Sequence, residues 1–266
     1  MKILVCPPEF FDVWYEINAW MDIHNTPHKA RARSQWWAMY NALLSSGAQV
    51  QRIEPHPRYP DMVFTANAGL VRKNSIILSN FKHEQRQGEQ FLFKKWFVEH
   101  GYNIIELPPD VCFEGEGDAL FFKDLLFMGH GFRTDIESHK HIGRVLGVEC
   151  VSLELVNPKF YHLDTCLFTS DTQVCFYKDA FTPESLRYAM GRLINYVSKN
   201  NLTVKITSVS KEDAVNFICN SIEIRKRIVS PVFNCDKVFG IGRHRFCDMS
   251  EFKKSGGAVK CLTLKL

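Results

Sequence analysis

Residues 113–122, FEGEGDALFF, indicate the fold because a polar, glycine-rich turn leads directly into an apolar run. Four other segments also place polar or small residues before an apolar run. The five segments are spaced by roughly 40 to 55 residues, a period typical of repeat architectures. They are MVFTANAGLV (62–71), YHLDTCLF (161–168), NFICNSIEI (216–224) and GAVKCLTLKL (257–266). We predict a buried strand in each segment.

Helical patterns lie between these segments. Apolar residues recur at steps of three and four in residues 31–47, 88–101 and 182–199. Strands that alternate with helices predict an α/β protein of about five repeated units, which close into a ring if the repeat is real. Because no Pro/Ser-rich linker or change in composition divides the chain, we expect one domain over residues 1–266.

Composition excludes several classes of protein. The net charge is +4, but Lys and Arg are scattered among Asp and Glu, so we expect no nucleic-acid partner. The first residues, MKILVCPPEFF, are broken by Pro7 and Pro8, which predicts neither a signal peptide nor a membrane helix. Nine cysteines without CxxC spacing favour a reducing compartment, so a cytoplasmic location is expected.

Cys261 and His162 are candidates for nucleophilic catalysis. Cys261 follows GGAVK, where glycines allow close approach of the backbone, whereas most of the other cysteines are better explained as packed core thiols. A thiolate nucleophile needs a base or positive charge nearby, and His162 begins the YHLDT segment. A lone histidine is more often a satisfied core residue, but Asp164, two residues on, would share its side of a strand.

Three carboxylates stand at alternate positions in FEGEGDAL. If the segment is extended, Glu114, Glu116 and Asp118 share one face, which is costly without a cation or a protonated group. A metal ion and a guanidinium both fit this need, but the metal interpretation lacks a converging His/Cys ligand set. We therefore expect no metal. Asn67 lies within an apolar strand pattern, which indicates that its amide is used.

Together, DMVFTANAG, FEGEGD, GHGFRTD, YHLDT and GGAVKCLT resemble, in order and over nearly the whole chain, the guanidino-group modifying enzymes. This family has the pentein fold, a five-bladed α/β-propeller. Its members include arginine deiminases, dimethylarginine dimethylaminohydrolases, glycine amidinotransferases and arginine dihydrolases. The resemblance implies that Cys261 attacks the guanidino carbon through a covalent thiouronium, that His162 is the general acid and base, and that Glu114 completes the triad.

The same resemblance implies a set of substrate contacts. Asp164 would grip the guanidinium and Phe64 would pack beside it. Arg86 and Arg133 each follow their motif by nineteen residues and would clamp the α-carboxylate, a role that suits the bidentate fork of arginine. Asp61 would meet the α-amino group.

Asn67 departs from the aspartate usual in deiminases and dimethylarginine hydrolases. Arginine dihydrolases carry asparagine there, and EINAWMD, with Asn18, also resembles that branch. A neutral amide suits an enzyme that must process neutral citrulline in a second round. We therefore expect an arginine dihydrolase that needs no cofactor and releases ornithine, ammonia and carbon dioxide.

Several alternatives stay open at this point. The substrate is arginine or a methylated arginine, so a dimethylarginine dimethylaminohydrolase and an arginine deiminase are rivals. An amidinotransferase would use the same nucleophile, and a non-catalytic ring-shaped binding protein is a more distant alternative. Self-association of the chain is also left open.

Overall fold

The computed structural model describes residues 1–240, 242 and 244–266. Within that part of the chain, short strands alternate with helices, as the repeat predicts. The strands are β1 (Lys2–Val5), β2 (Gln49–Arg52), β3 (Gly69–Arg72), β4 (Ser75–Leu78), β5 (Asn103–Ile105), β6 (Ala119–Phe122), β7 (Leu125–His130), β8 (Glu149–Glu154), β9 (Leu167–Thr169), β10 (Gln173–Phe176), β11 (Lys205–Ser208), β12 (Ile222–Ile224), β13 (Arg227–Ser230), β14 (His244–Phe246) and β15 (Leu264–Lys265). The helices are α1 (Lys29–Ser45), α2 (Glu84–Gln87), α3 (Glu89–Glu99), α4 (Ile136–Leu146), α5 (Pro183–Lys199), α6 (Lys211–Val215), α7 (Asp236–Phe239) and α8 (Ser250–Lys253).

The described strands form five small sheets that share one topology. In β3-β4-β5 the first two strands pair antiparallel, with Leu70 opposite Ile77, and β5 joins parallel to β4. The same order recurs in β6-β7-β8, β9-β10-β11 and β12-β13-β14. The fifth sheet, β15-β1-β2, pairs Ile3 with Lys265 and so joins the first repeat to the last. The predicted five-bladed α/β-propeller is therefore confirmed.

Helices connect the parallel strands of each sheet. The three helices predicted from apolar spacing are present as α1, α3 and α5. A parallel pair needs a crossover, which α1 supplies between β1 and β2, α3 between β4 and β5, and α5 between β10 and β11. In α1, Trp36, Met39 and Leu43 are fully buried and pack in one core with Ile3 and Val5 of β1. The apolar stripe that predicts the helix is thus the face that holds it against its sheet.

The prediction that the repeated segments are strands throughout is wrong for their polar halves. Short 3-10 turns, Thr65–Ala68, Gly115–Gly117 and Leu163–Thr165, precede β3, β6 and β9. The strands begin only where the polar residues end. A 3-10 turn rotates successive side chains by about a third of a turn, so alternate residues no longer share a face. The polar side chains therefore point in different directions from each turn.

Gly115 shows how closely these turns approach one another. Its φ of +62° lies in the left-handed region, which glycine adopts at little cost. A Cβ there would lie 2.5 Å from the carbonyl oxygen of Ala66 and 2.7 Å from the backbone nitrogen of Gly69. The backbone N–H of Ala66 in turn donates to the carbonyl oxygen of Cys261 at 3.1 Å. Residues far apart in sequence therefore meet at the ends of the strands.

Candidate active site

Glu114 joins an imidazole to a guanidinium where the turns meet. His162 Nε2 lies 2.8 Å from Glu114 Oε2, and Arg133 Nη1 donates to the same oxygen at 3.0 Å. Burial by itself would raise the pKa of Glu114, but Arg133 and the hydrogen bond with His162 hold the pKa below its usual range. An ionised carboxylate only accepts hydrogen bonds, so His162 carries a proton on Nε2. The other ring nitrogen, Nδ1, is left to exchange protons with a bound molecule.

Cys261 is buried and contacts Asp164 rather than His162. Its thiol donates to Asp164 Oδ2 at 3.1 Å. Burial and the neighbouring Asp164 charge raise the pKa of the Cys261 thiol well above its usual value. Burial also raises the pKa of Asp164 to about 6, against the opposing effects of Lys260 and the thiol hydrogen bond. The site therefore holds a protonated thiol beside a carboxylate, and a cation bound between them would favour the thiolate.

Asn220 positions the cysteine, and the sequence analysis missed it. Its Nδ2 donates to Cys261 Sγ at 3.0 Å, while its Oδ1 accepts the backbone N–H groups of Cys261 and Ala258. A signal was available: Asn220 stands two residues before β12, as Asn67 stands two residues before β3. The repeat thus places an amide at the same point in two blades.

Asn67 is held between a donor and an acceptor. Arg86 Nη1 donates to Asn67 Oδ1 at 2.9 Å, and Asn67 Nδ2 donates to the carbonyl oxygen of Glu114 at 3.2 Å. Arginine can only donate and a carbonyl can only accept, so these partners fix which way the amide faces. A Cβ on Gly117 would collide with Asn67 Nδ2 and lie 3.3 Å from His162 Nδ1. The nitrogen side of the amide therefore faces the imidazole.

Glu89, a second residue missed by the sequence analysis, occupies the fork of Arg86. Arg86 Nε donates to Glu89 Oε1 at 2.9 Å and Nη2 donates to Oε2 at 2.8 Å. Burial raises the pKa of Glu89, and Arg86 works against that rise. With a further bond from Nη2 to the carbonyl of Asp61, Arg86 uses four of its five N–H groups, whereas Arg133 donates only to Glu114 and to the carbonyl of Ile17. In this conformation a bidentate grip on a carboxylate is open to Arg133 and not to Arg86.

Asp61 has one carboxylate oxygen without a partner. Tyr15 donates to Asp61 Oδ2 at 3.0 Å, but Oδ1 is buried and accepts no hydrogen bond from any residue that the structure describes. A buried carboxylate oxygen is costly to leave unpaired, so this atom is prepared for a donor that arrives with a ligand. An ammonium group meets that need.

A small cavity of about 10 Å³ lies beside Asp61 and the two arginines. It is lined by Asn18, Asp61, Phe64, Arg86 and Arg133, with Ile17, Met21, Tyr161 and Ser255. This volume holds about one water molecule, so an amino acid requires the covering segment to move.

Residues 17–20 form that cover. Asn18 Nδ2 donates to the carbonyl of Ser255 at 3.1 Å, and Trp20 Nε1 donates to the carbonyl of Lys159 at 2.7 Å. Asn18 thus lines the cavity, and its contact with a bound molecule stays a prediction.

Phe64 lies close to Cys261. A Cβ on Gly257 would lie 2.5 Å from the Phe64 ring and 3.1 Å from Cys261 Cβ, so this glycine allows the ring and the cysteine to approach each other. Phe64 is buried and packs edge-on against Phe11 at 5.8 Å between ring centroids. Its ring is therefore fixed beside the cavity.

Glu116 and Asp118 contact neither the thiol nor each other. Glu116 Oε2 accepts Lys260 Nζ at 2.9 Å. Asp118 accepts the Thr134 hydroxyl at 2.7 Å and the Leu163 backbone N–H at 3.0 Å. The expectation that both share a face with Glu114 is wrong, because the Gly115–Gly117 turn separates them. Glu116 thus joins the turn before β6 to the segment before β15, and Asp118 joins it to the turn before β9.

Neither a metal-ligand cluster nor a membrane-spanning helix is found in the described part of the chain. Residues 1–240, 242 and 244–266 contain no cluster of three or more His, Cys, Asp or Glu side chains arranged to hold a metal ion. Over the same residues, no helix combines the length and apolar character required to cross a bilayer.

Five blades around this polar centre are the pentein fold of the guanidino-group modifying proteins. Residues 15–266 match the family model described as N,N dimethylarginine dimethylhydrolase, eukaryotic, and the chain belongs to that family.

Two curated relatives illustrate its range. The chain is 40% identical to the bifunctional arginine dihydrolase/ornithine cyclodeaminase ArgZ of Synechocystis sp., over all of this chain and 38% of that protein. It is 34% identical to an N(G),N(G)-dimethylarginine dimethylaminohydrolase of Mycobacterium tuberculosis, over all of this chain and 85% of that protein. The chain thus spans well under half the length of the bifunctional relative.

The N-terminal domain of ArgZ is also similar in structure. The crystal structure of a cysteine-to-serine variant bound to substrate, described as an arginine dihydrolase, has a TM-score of 0.89 at 39% identity, over 99% of this chain and 97% of that domain. An asparagine-to-serine variant of the same domain was found covalently bonded to a reaction intermediate.

Proposed function

We propose that this chain is an arginine dihydrolase, which converts arginine and two water molecules into ornithine, two ammonia molecules and carbon dioxide. The observation that carries the proposal is the position of Asn67, a neutral amide between Arg86 and Glu114 beside His162. The two charged ends of arginine also have complementary partners here. Asp61 Oδ1 suits the α-amino group, Arg133 suits the α-carboxylate, and Asp164 suits the guanidinium.

Substrate binding activates the nucleophile in this scheme. Burial and Asp164 hold Cys261 as a thiol. A guanidinium seated against Asp164 neutralises the charge that opposes ionisation, so the thiolate forms only when substrate is present. The site thereby protects its cysteine from unproductive reactions.

The first round has two steps. The proton that Cys261 loses passes to His162 Nδ1, and Cys261 Sγ bonds to the guanidino carbon. The bond to a terminal nitrogen then breaks, and His162 gives that proton to the nitrogen as ammonia leaves. His162 then takes a proton from water, the hydroxide adds to the thiouronium carbon, and the carbon–sulfur bond breaks to give citrulline. Glu114, which faces the protonated Nε2 of His162, stabilises the imidazolium form.

The second round repeats these steps on the ureido carbon. Cys261 displaces the second ammonia to give a thiocarbamate, and water releases the carbamic acid of ornithine, which loses carbon dioxide. The ureido group of citrulline carries no charge, so it could not form an ion pair that offsets the burial of an aspartate at position 67. An amide, in contrast, can donate a hydrogen bond to the ureido oxygen. Identity of 40% to an arginine dihydrolase over the whole chain supports the same assignment.

The second candidate is a dimethylarginine dimethylaminohydrolase. It is favoured by the description of the family model and by the M. tuberculosis relative. This enzyme would stop at citrulline and release dimethylamine.

One mass-spectrometric experiment distinguishes the two. Purified protein is incubated separately with arginine and with asymmetric dimethylarginine, and citrulline, ornithine, dimethylamine and ammonia are followed over time. The proposal expects ornithine with about two ammonia per arginine. Citrulline that accumulates without ornithine would identify a deiminase, and faster turnover of dimethylarginine would identify the second candidate.

The proposal extends to the setting of the protein. All nine cysteines are unpaired, which supports a reducing compartment such as the cytoplasm. A single domain over residues 1–266 agrees with closure of the ring by β15 and β1. Self-association is tested by light scattering of the purified chain.

A further inference from the structure

We propose that Glu89 is a positioning residue that, through Arg86, fixes the Asn67 amide with its N–H towards the reacting carbon and so favours the second hydrolysis. This inference rests on the proposed dihydrolase function and deepens it. It concerns a residue that lies outside the cavity and does not touch the substrate.

Glu89 and Arg86 form a rigid pair. Glu89 is completely buried at the first position of α3, where the helix N-terminus favours a carboxylate. Its two oxygens accept two parallel hydrogen bonds from Arg86. A bidentate pair of this kind fixes the plane of the guanidinium. Arg86 is further held by stacking over the Phe81 ring, with Cζ at 4.7 Å from the centroid.

The fixed guanidinium of Arg86 in turn sets the orientation of the Asn67 amide. With Nε and Nη2 engaged, Arg86 directs Nη1 at Asn67 Oδ1. The amide oxygen therefore faces Arg86, and Nδ2 faces Gly117, which also lies beside the imidazole of His162. One Nδ2 hydrogen bonds to the carbonyl of Glu114, and the second is available to a ligand.

The guanidinium of arginine and the ureido group of citrulline differ in whether they can accept a hydrogen bond from Asn67. A guanidinium has only donors, so an inward N–H gives it no hydrogen bond, and its charge is matched by Asp164 instead. A ureido group has a carbonyl oxygen, which accepts that N–H. The amide orientation imposed by Glu89 is thus neutral for the first round and favourable for the second.

The test measures both rounds separately in Glu89→Gln. The glutamine keeps the shape but replaces one acceptor by a donor, so Arg86 loses one of its two bonds and Asn67 can turn. We expect kcat/KM for citrulline to fall by about tenfold to a hundredfold, the effect of one charge-assisted hydrogen bond. We expect kcat/KM for the first step with arginine to change by less than about threefold, so citrulline accumulates.

Two further variants complete the design. Glu99→Gln changes an exposed glutamate on the same helix, whose partner Lys95 lies 3.9 Å away, and should leave both steps unchanged. Glu89→Asp retains the charge on a shorter side chain and covers the case in which Glu89→Gln fails to fold. It should shift the ratio of the two steps in the same direction and by less.

The ratio separates positioning from general support of the fold. If Glu89→Gln or Glu89→Asp lowers both steps in proportion, or lowers neither, the inference is overturned while the dihydrolase function stands. If the wild-type protein does not hydrolyse citrulline, the proposed function fails and the inference falls with it.

Discussion

Replacement of Asp164 by Asn should make Cys261 easier to ionise and the enzyme slower. Two unit charges about 4 Å apart interact by about 4 kcal/mol at an effective dielectric constant of about 20. Cys261 Sγ and Asp164 Oδ2 are 3.1 Å apart and both are buried. Loss of the carboxylate charge removes that interaction and should lower the pKa of the Cys261 thiol. The same change removes the group that we assign to the guanidinium, so kcat/KM for arginine should fall by about a hundredfold.

The assay is alkylation by iodoacetamide over a range of pH, with each cysteine quantified by mass spectrometry of its peptide. The midpoint of the pH profile reports the thiol pKa independently of how easily the reagent enters. Cys112, a partly buried cysteine beside Asp135, serves as the internal control and should be unaffected. An unchanged or higher midpoint for Cys261 in the Asp164→Asn variant would refute the electrostatic argument, and full turnover would refute the assignment of Asp164 to the guanidinium.

Three further outcomes are expected. Burial raises the pKa of Asp164 to about 6, so protonation below that pH should lower kcat/KM for arginine but not for uncharged citrulline; an acid limb of equal size with both substrates would contradict this. In Gly117→Ala the new Cβ collides with Asn67, so both hydrolytic rates should fall about tenfold and urea unfolding should show a loss of about 1–3 kcal/mol. Gly191→Ala, in open space on α5, is its matched control and should retain full activity. Lys260→Met should cost about 3–5 kcal/mol in the same unfolding assay because it leaves buried Glu116 without its counter-charge, and Lys260→Met combined with Glu116→Gln should recover most of that loss; equal stability of the single and double variants would argue against the pair.

The repeat in the sequence predicted about five units of strand and helix, and the family resemblance predicted that they close into a ring. Each blade carries its own apolar run, and the apolar spacing of α1, α3 and α5 is local information that survives in the folded chain. The nineteen-residue offset also has a physical counterpart. Arg86 hydrogen-bonds to Asn67 and Arg133 to Glu114, so the same contact recurs in two blades.

The local conformation of the polar residues was harder to predict. In FEGEGDAL the alternation of charge and glycine mimics a strand, but Gly115 adopts a positive φ that only contact with the neighbouring blade makes necessary. Glu89 and Tyr15 were missed because their roles depend on partners far from the motifs. Asn220 could have been found from its position in the repeat, since it occupies the place of Asn67 in another blade.

Closure of the ring by β15 against β1 also has a consequence for the order of folding. Cys261 lies three residues before β15, and its blade exists only when Ile3 meets Lys265. A contact between such distant residues forms late, because the loop between them is long. Until then Cys261 has neither Asp164 nor Asn220 beside it and behaves as an ordinary thiol. We therefore expect the active site to form late in folding, when β15 pairs with β1 and closes the ring.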